Sequence, residues 1–256
     1  MVESGLIFGG LLILVCFILV VVFNPFIYKR FYKRLRTIEA VENLKRASGL
    51  SVEEGKRLHL CLGNANMLST NNAAGYVGLN VLDRLTRVSI SSDNPPITTC
   101  GDSTLALLSQ ETLKTAYRSG NALDVYSSQQ ARLAGTSAFS YAVGVLPSMT
   151  DEKVSSHILV GHFGPEVALL TDAGERQGAQ MVTASDTLEG QAVIYAASSN
   201  PLIGEELYAL TGYIQVNPFH QACLRVQDIM RWVLIGGLLL GVLIRIMMLL
   251  LWNGVS

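Results

Sequence analysis

Two side chains have the type and placement for nucleophile–base chemistry. Cys100 ends a short apolar run, just before a helical pattern that opens at Asp102. A thiol at a helix N-terminus can carry a lowered pKa and attack as the thiolate. It would need a base, and His162, in the turn GHFG, is the one tempting partner. A free cysteine serves equally well as a small buried apolar residue, so no residue is assigned a catalytic role. The histidines make no metal set. His157 and His162 lie five apart, and a straight strand would point them to opposite faces. His59 and His220 have no neighbouring ligand, and neither Cys-x-x-Cys nor His-Glu-x-x-His spacing occurs. No metal and no other cofactor is expected. Glu152, Glu166, Asp172, Glu205 and Glu206 could act as a general acid or base. Carboxylates in helix first turns ordinarily complement the helix dipole, which suits Glu166 after Pro165.

Small polar residues recur at the ends of the apolar runs. In chain order the turns are GNAN (with Gly63 and Asn64), CGDS (Cys100, Gly101, Asp102, Ser103), AGTS (Gly135, Thr136, Ser137), GHFG (Gly161, His162, Gly164) and ASDT (Ser185, Asp186). Backbone N–H groups in such turns can cradle an anion, which would make these fourteen residues one candidate pocket for a small anionic ligand. The same composition is what capped helix starts require, and Asp102, Thr136 and Asp186 are adequate caps with no ligand present. Both readings stay open. None of the five turns matches a dinucleotide fingerprint or a loop ending in Gly-Lys-Ser/Thr.

The elements that must position these turns alternate in type. Strand-like runs at 57–63, 97–100, 157–160 and 180–184 are separated by helical patterns near 71–86 and 102–118, from about 137, and near 165–176, 187–197 and 201–214. Residues 123–126 and 132–134 read as short extended pieces, and 37–47 as a short charged helix. Short buried strands alternating with helices predict an α/β, Rossmann-like three-layer domain with a mainly parallel sheet. Ligands of such sheets bind outside the carboxyl ends of the strands, where the five turns fall.

The chain has 256 residues, half of them apolar and 15% charged, with a net charge of -1. That balance gives no charge bias towards nucleic acid, and the apolar excess sits at the two ends. Residues 5–23 carry no charge, and residues 232–252 are apolar apart from Arg245, with Trp232 and Trp252 at the boundaries. Each is close to the ~20 residues that span a bilayer as a helix. The acidic start MVES and the lack of a small-residue cleavage site make the first an uncleaved anchor. Lys29, Arg30, Lys33, Arg34 and Arg36 follow the first stretch, while Arg225 and Arg231 precede the second. Both asymmetries place the middle of the chain in the cytoplasm and both termini outside.

The expected organisation is a first transmembrane helix (1–28), a basic juxtamembrane linker (29–49), a cytoplasmic α/β domain (50–216), and a helix that continues into the second transmembrane helix (217–256). Asn217-Pro218 reads as a cap and first turn with no breaker after it. Gly5 with Gly9, and Gly237 with Gly241, have the spacing that lets membrane helices approach closely, which points to a homo-oligomer or to other membrane subunits. The four cysteines are scattered and suit free thiols in a reducing compartment.

The segments SSDNPPITTCGDSTL, TSAFSYAVGVLP, LVGHFGPEVALLTDAGER and NPLIGEELYA resemble an uncharacterised family of bacterial membrane proteins, a domain of unknown function. The similarity runs from Leu58 to the start of the second apolar stretch. It implies a bacterial inner-membrane setting and no activity. The expected function is a membrane-anchored ligand-sensing or scaffold module. The alternatives are a hydrolase or transferase using the strand-end turns, or a structural subunit of a larger membrane complex.

Overall fold

The computed structural model describes residues 2–22, 37–69, 72–90, 92, 94–151, 154–214 and 218–253. They fall into two compact units, residues 1–34 with 216–256, and residues 35–215.

The larger unit is a six-stranded, wholly parallel sheet with helices on both faces. Its elements, in chain order, are α2 (Glu39–Glu53), β1 (Arg57–Gly63), α3 (Ala73–Ser89), β2 (Ile97–Cys100), α4 (Ser103–Ser119), β3 (Ala131–Leu133), α5 (Ala138–Met149), β4 (Val154–His162), α6 (Val167–Arg176), β5 (Gln180–Ser185), α7 (Leu188–Ala197), β6 (Pro201–Leu202) and α8 (Glu206–Ile214). The strand order β3-β2-β1-β4-β5-β6 is that of doubly wound sheets. The direction of winding reverses between β1 and β4. Two stretches depart from the expected pattern: Leu123–Val125 is a 3-10 turn rather than a strand, and Pro201–Leu202 is the edge strand β6, so the last helix starts at Glu206 rather than at 201.

Side chains alternate across a strand, and here each set meets a separate apolar layer. Leu58, Leu60 and Leu62 of β1 join Ile158 and Val160 of β4 under α2, α3, α4 and α8. Cys61, Leu159 and Met181 face the opposite layer, with Tyr141, Val145 and Met149 of α5 and Ile194 of α7. The charged helix α2 is part of this packing, because Ala40, Val41 and Leu44 are buried in the first layer. Helix α3 lies close to the sheet at Gly78, where a Cβ would come within 2.8 Å of the Val160 carbonyl oxygen.

The smaller unit contains α1 (Val2–Val22) and α9 (Pro218–Asn253). Helix α9 runs unbroken for 36 residues. Within it Cys223–Met248 is long and apolar enough to cross a membrane, with a mean hydropathy of 2.0. Among the described residues it is the one such helix, and the apolar stretch described in α1, Ile13–Val22, is shorter than a bilayer core requires. Lys29, Arg30, Lys33, Arg34 and Arg36 lie outside the described residues. Arg225 and Arg231 sit in the N-terminal half of α9, with most of the apolar segment following them. Gly9, Gly237 and Gly241 have no atom within 4 Å of a Cβ position, while the surroundings of Gly5 lie outside the described set.

Candidate functional site

The five turns lie side by side along the carboxyl edge of the sheet, because parallel strands all end at that edge. Hydrogen bonds join each to the next. The Ala134 N–H donates to the Cys100 carbonyl at 2.9 Å, the Gly101 N–H to Gly63 at 2.8 Å, and the Asn64 N–H to His162 at 2.9 Å. The Phe163 N–H then donates to the Ser185 hydroxyl at 3.2 Å, which donates back to the Phe163 carbonyl at 2.8 Å. Thr187 bonds the same carbonyl.

At the centre of this edge, where the winding reverses, the turns after β1 and β4 meet. Gly63 has φ +68 and its Cα faces the His162 carbonyl, so any Cβ there would clash. Only glycine suits that position.

The helix starts that follow the turns are largely satisfied by their own residues. The Asp102 carboxylate accepts from the Leu105 N–H at 3.0 Å. Ser137 and Ser140 form a reciprocal capping box, and Thr187 accepts from the Gly190 N–H. Glu166 accepts from the Gly164 N–H at 2.8 Å. Ser103 is the first residue of α4, while Gly135 and Thr136 lead into the box. Helix α3 differs, since its first residue follows Asn72 with no side-chain cap.

His162 is the titratable side chain that this edge leaves in a position to act. Its Nδ1 donates to the Asp186 carboxylate at 2.9 Å, with the two side chains 35% and 13% exposed. The Asp186 bond raises the imidazole pKa from its ordinary 6.5, with Glu166 adding to the same direction against a desolvation that lowers it. Tyr208 of α8 feels Asp186 too, and its phenol is raised mainly by burial. With Nδ1 engaged, Nε2 is the ring nitrogen left to meet a ligand.

Cys100 is not that residue's partner. It is fully buried in the layer under α4, 3.4 Å from the Ser109 hydroxyl, and burial pushes its thiol up to about 12. Its side chain faces the core while its carbonyl faces the edge, so Gly101 and Asp102 stay at the site and the thiol leaves it.

Sequence spacing missed a second polar group beneath α5. His59 has no partner in sequence, yet the β1–β4 register sets it opposite His157, with Nδ1 to Nδ1 at 3.1 Å. His59 Nε2 lies 3.1 Å from the Thr99 hydroxyl of β2, and Cys61 lies 3.7 Å from the same ring. Tyr141 of α5 donates to the Thr99 carbonyl and accepts from the Gly63 N–H, both at 3.3 Å. A chain of polar contacts thus runs under α5 from the carboxyl edge to His157. Burial drives His59 far below 6.5 and His157 to about 4, and lifts Cys61 to about 12. The only prior sign of this group was a histidine at each of two apolar strands. Among the described residues no group of three or more His, Cys, Asp or Glu side chains has metal-binding geometry.

A polar cavity of about 390 Å³ opens at the opposite edge, among Lys56, Asp151, Ser155 and Gln180. None of the five turns lines it, and parallel sheets place their ligands at the other end. The carboxyl edge therefore remains the candidate site. No curated protein and no solved structure matches the chain. A family model for a domain of unknown function, DUF6754, matches residues 5–255, which cover almost its whole length, and the chain belongs to that family.

Proposed function

We propose that the protein is a membrane-anchored, Rossmann-like α/β domain that binds a small anionic ligand at its carboxyl edge and works as a sensing or scaffold module. The observation that carries this reading is the His162–Asp186 pair, which stands beside the point where the sheet reverses its winding. Asp186 favours the charged imidazole, which leaves the Nε2–H of this partly exposed ring as a cationic donor. The uncapped start of α3, beside the Asn64 turn, adds N–H groups of the same polarity. The anchor is α9, through Cys223–Met248. A second span in residues 5–23, a cytoplasmic domain between the two, a bacterial inner-membrane location and a homo-oligomer or larger membrane complex all belong to the same proposal. Their support is the apolar ends, the basic residues that follow the first and precede the second, and the spaced glycines.

The test is a melting series on the full chain in detergent with inorganic phosphate, nucleotides and small carboxylates. Binding to the native state raises Tm with ligand concentration, by about 2.7 kcal/mol of stability at a hundred times Kd. The expected result is a shift that His162→Asn removes and that weakens as pH rises through the His162 pKa. No shift with any of these anions, or one indifferent to His162, overturns the reading.

The same pair favours a second reading. A histidine oriented by a carboxylate is an arrangement for general base catalysis, as in a hydrolase or transferase. Ligand turnover, absent in His162→Asn, would select it over simple binding.

A further inference from the structure

We propose that the His59–His157 contact is an acid-sensitive latch: protonation of the pair releases α5 from the sheet, and with it the Gly63 turn, while the opposite helix layer stays closed.

The geometry leaves no place for an extra proton. His157 bonds the Met149 backbone as well as His59, and Nδ1 is the atom facing His59. The Met149 carbonyl therefore takes the Nε2–H, and His157 Nδ1 accepts from His59 Nδ1–H. His59 Nε2 accepts in turn from the Thr99 hydroxyl. Protonating His157 at Nδ1 would set two N–H groups against each other at 3.1 Å. Protonating His59 at Nε2 would turn the Thr99 hydroxyl toward Cys61, 3.6 Å away, and leave a cation buried.

Among the described residues, no carboxylate acts on either ring to hold that cation. The pair is faced from β1 by Arg57 and Cys61, from β2 by Thr99, from β3 by Arg132, and from β5 by Met181. Arg132 disfavours a charge on His59, and Tyr141 is the sole ionisable residue of α5. The buried residues of α6 carry no charge. The polar ties of α5 to the sheet centre on this arrangement, with Tyr141 bound to Gly63 and Thr99 and Met149 to His157, beside the apolar packing of Ala142, Val145 and Met149.

The sign follows from the shifts. Folded, both rings stay neutral well below 6.5. With α5 open they regain a pKa of about 6.5. Opening then takes up two protons and is favoured as the pH falls below that value. Between pH 6.5 and pH 5 the opening equilibrium rises roughly 200-fold for two titrating rings and roughly 15-fold for one.

Cys61 and Cys100 read this out, since they are buried in opposite layers. The full chain in detergent is exposed briefly to 4,4′-dithiodipyridine between pH 4.5 and 7.5, and labelled cysteines are located by peptide mass. Rates are divided by that of glutathione at the same pH. The expected result is a roughly 200-fold rise at Cys61 between pH 6.5 and pH 5, with Cys100 unchanged over the same range. In His157→Gln the rise at Cys61 falls to roughly 15-fold. A flat Cys61 profile overturns the latch, and so does a parallel rise at Cys100, which would mean global unfolding. The comparison of the two cysteines in the unsubstituted chain decides the matter even where the variant does not fold. No ligand is involved, so the outcome is separate from that of the binding test.

Discussion

Two histidine environments in one sheet respond to pH in opposite directions. His162 is half-exposed and held by Asp186, so its folded pKa lies above 6.5. Its contribution to stability is complete below 6.5 and is lost as pH rises through the folded value. His157 is buried and uncharged, so its contribution is complete above 6.5 and is lost as pH falls towards about 4. Asp186→Asn removes the main cause of the His162 shift, and an imidazole titration followed by NMR should show that pKa falling while those of His59 and His157 do not move. An unchanged His162 value would mean that the ion pair does not set it. Gly63→Ala tests the centre of the edge. Its positive φ costs about 1–3 kcal/mol for a residue with a Cβ, before the clash with the His162 carbonyl is counted. Urea denaturation should show at least that loss, and a neutral substitution would mean that the turn relaxes away from the His162 carbonyl.

At the scale of elements, each helix start is fixed locally and each helix seat is fixed by the sheet. Asp102 caps α4 as expected, while α5 and α7 are capped by Ser137 and Thr187, each one residue past the expected Thr136 and Asp186. Helix α5 is different, because its amphipathic pattern does not reveal that Tyr141 bridges two strand ends. Tyr141→Phe keeps the ring in its apolar layer and strands the Gly63 N–H. A buried donor left without a partner costs about 1–3 kcal/mol. Thermal melts should show a loss of that size, with hydrogen exchange at Gly63 accelerating more than exchange in α4. Equal acceleration in both places would mean a general loss of packing instead of a local one.

For the whole molecule, the two units make separate demands on their surroundings. Residues 35–215 bury an apolar layer on each face of the sheet. A fragment of residues 37–214 should therefore melt cooperatively and stay in solution. The full chain, with the exposed apolar surface of Cys223–Met248, should remain in the membrane fraction after alkaline extraction. A fragment that aggregates, or a full chain that extracts freely, would contradict this division.

The sequence alone determined what depends on local period and residue type. That includes the α/β class, an apolar C-terminal helix and the row of small-residue turns at strand ends. Those features are legible because neighbours in the chain produce them. The tertiary structure alone decided which distant residues meet. The pairing of His59 with His157, across 98 residues, follows from the β1–β4 register. The partnership of His162 with Asp186 instead of Cys100 follows from the strand order and from the side of β2 on which each atom of Cys100 falls. A parallel sheet joins strands through long crossovers, and the chain between them carries no record of the register they adopt.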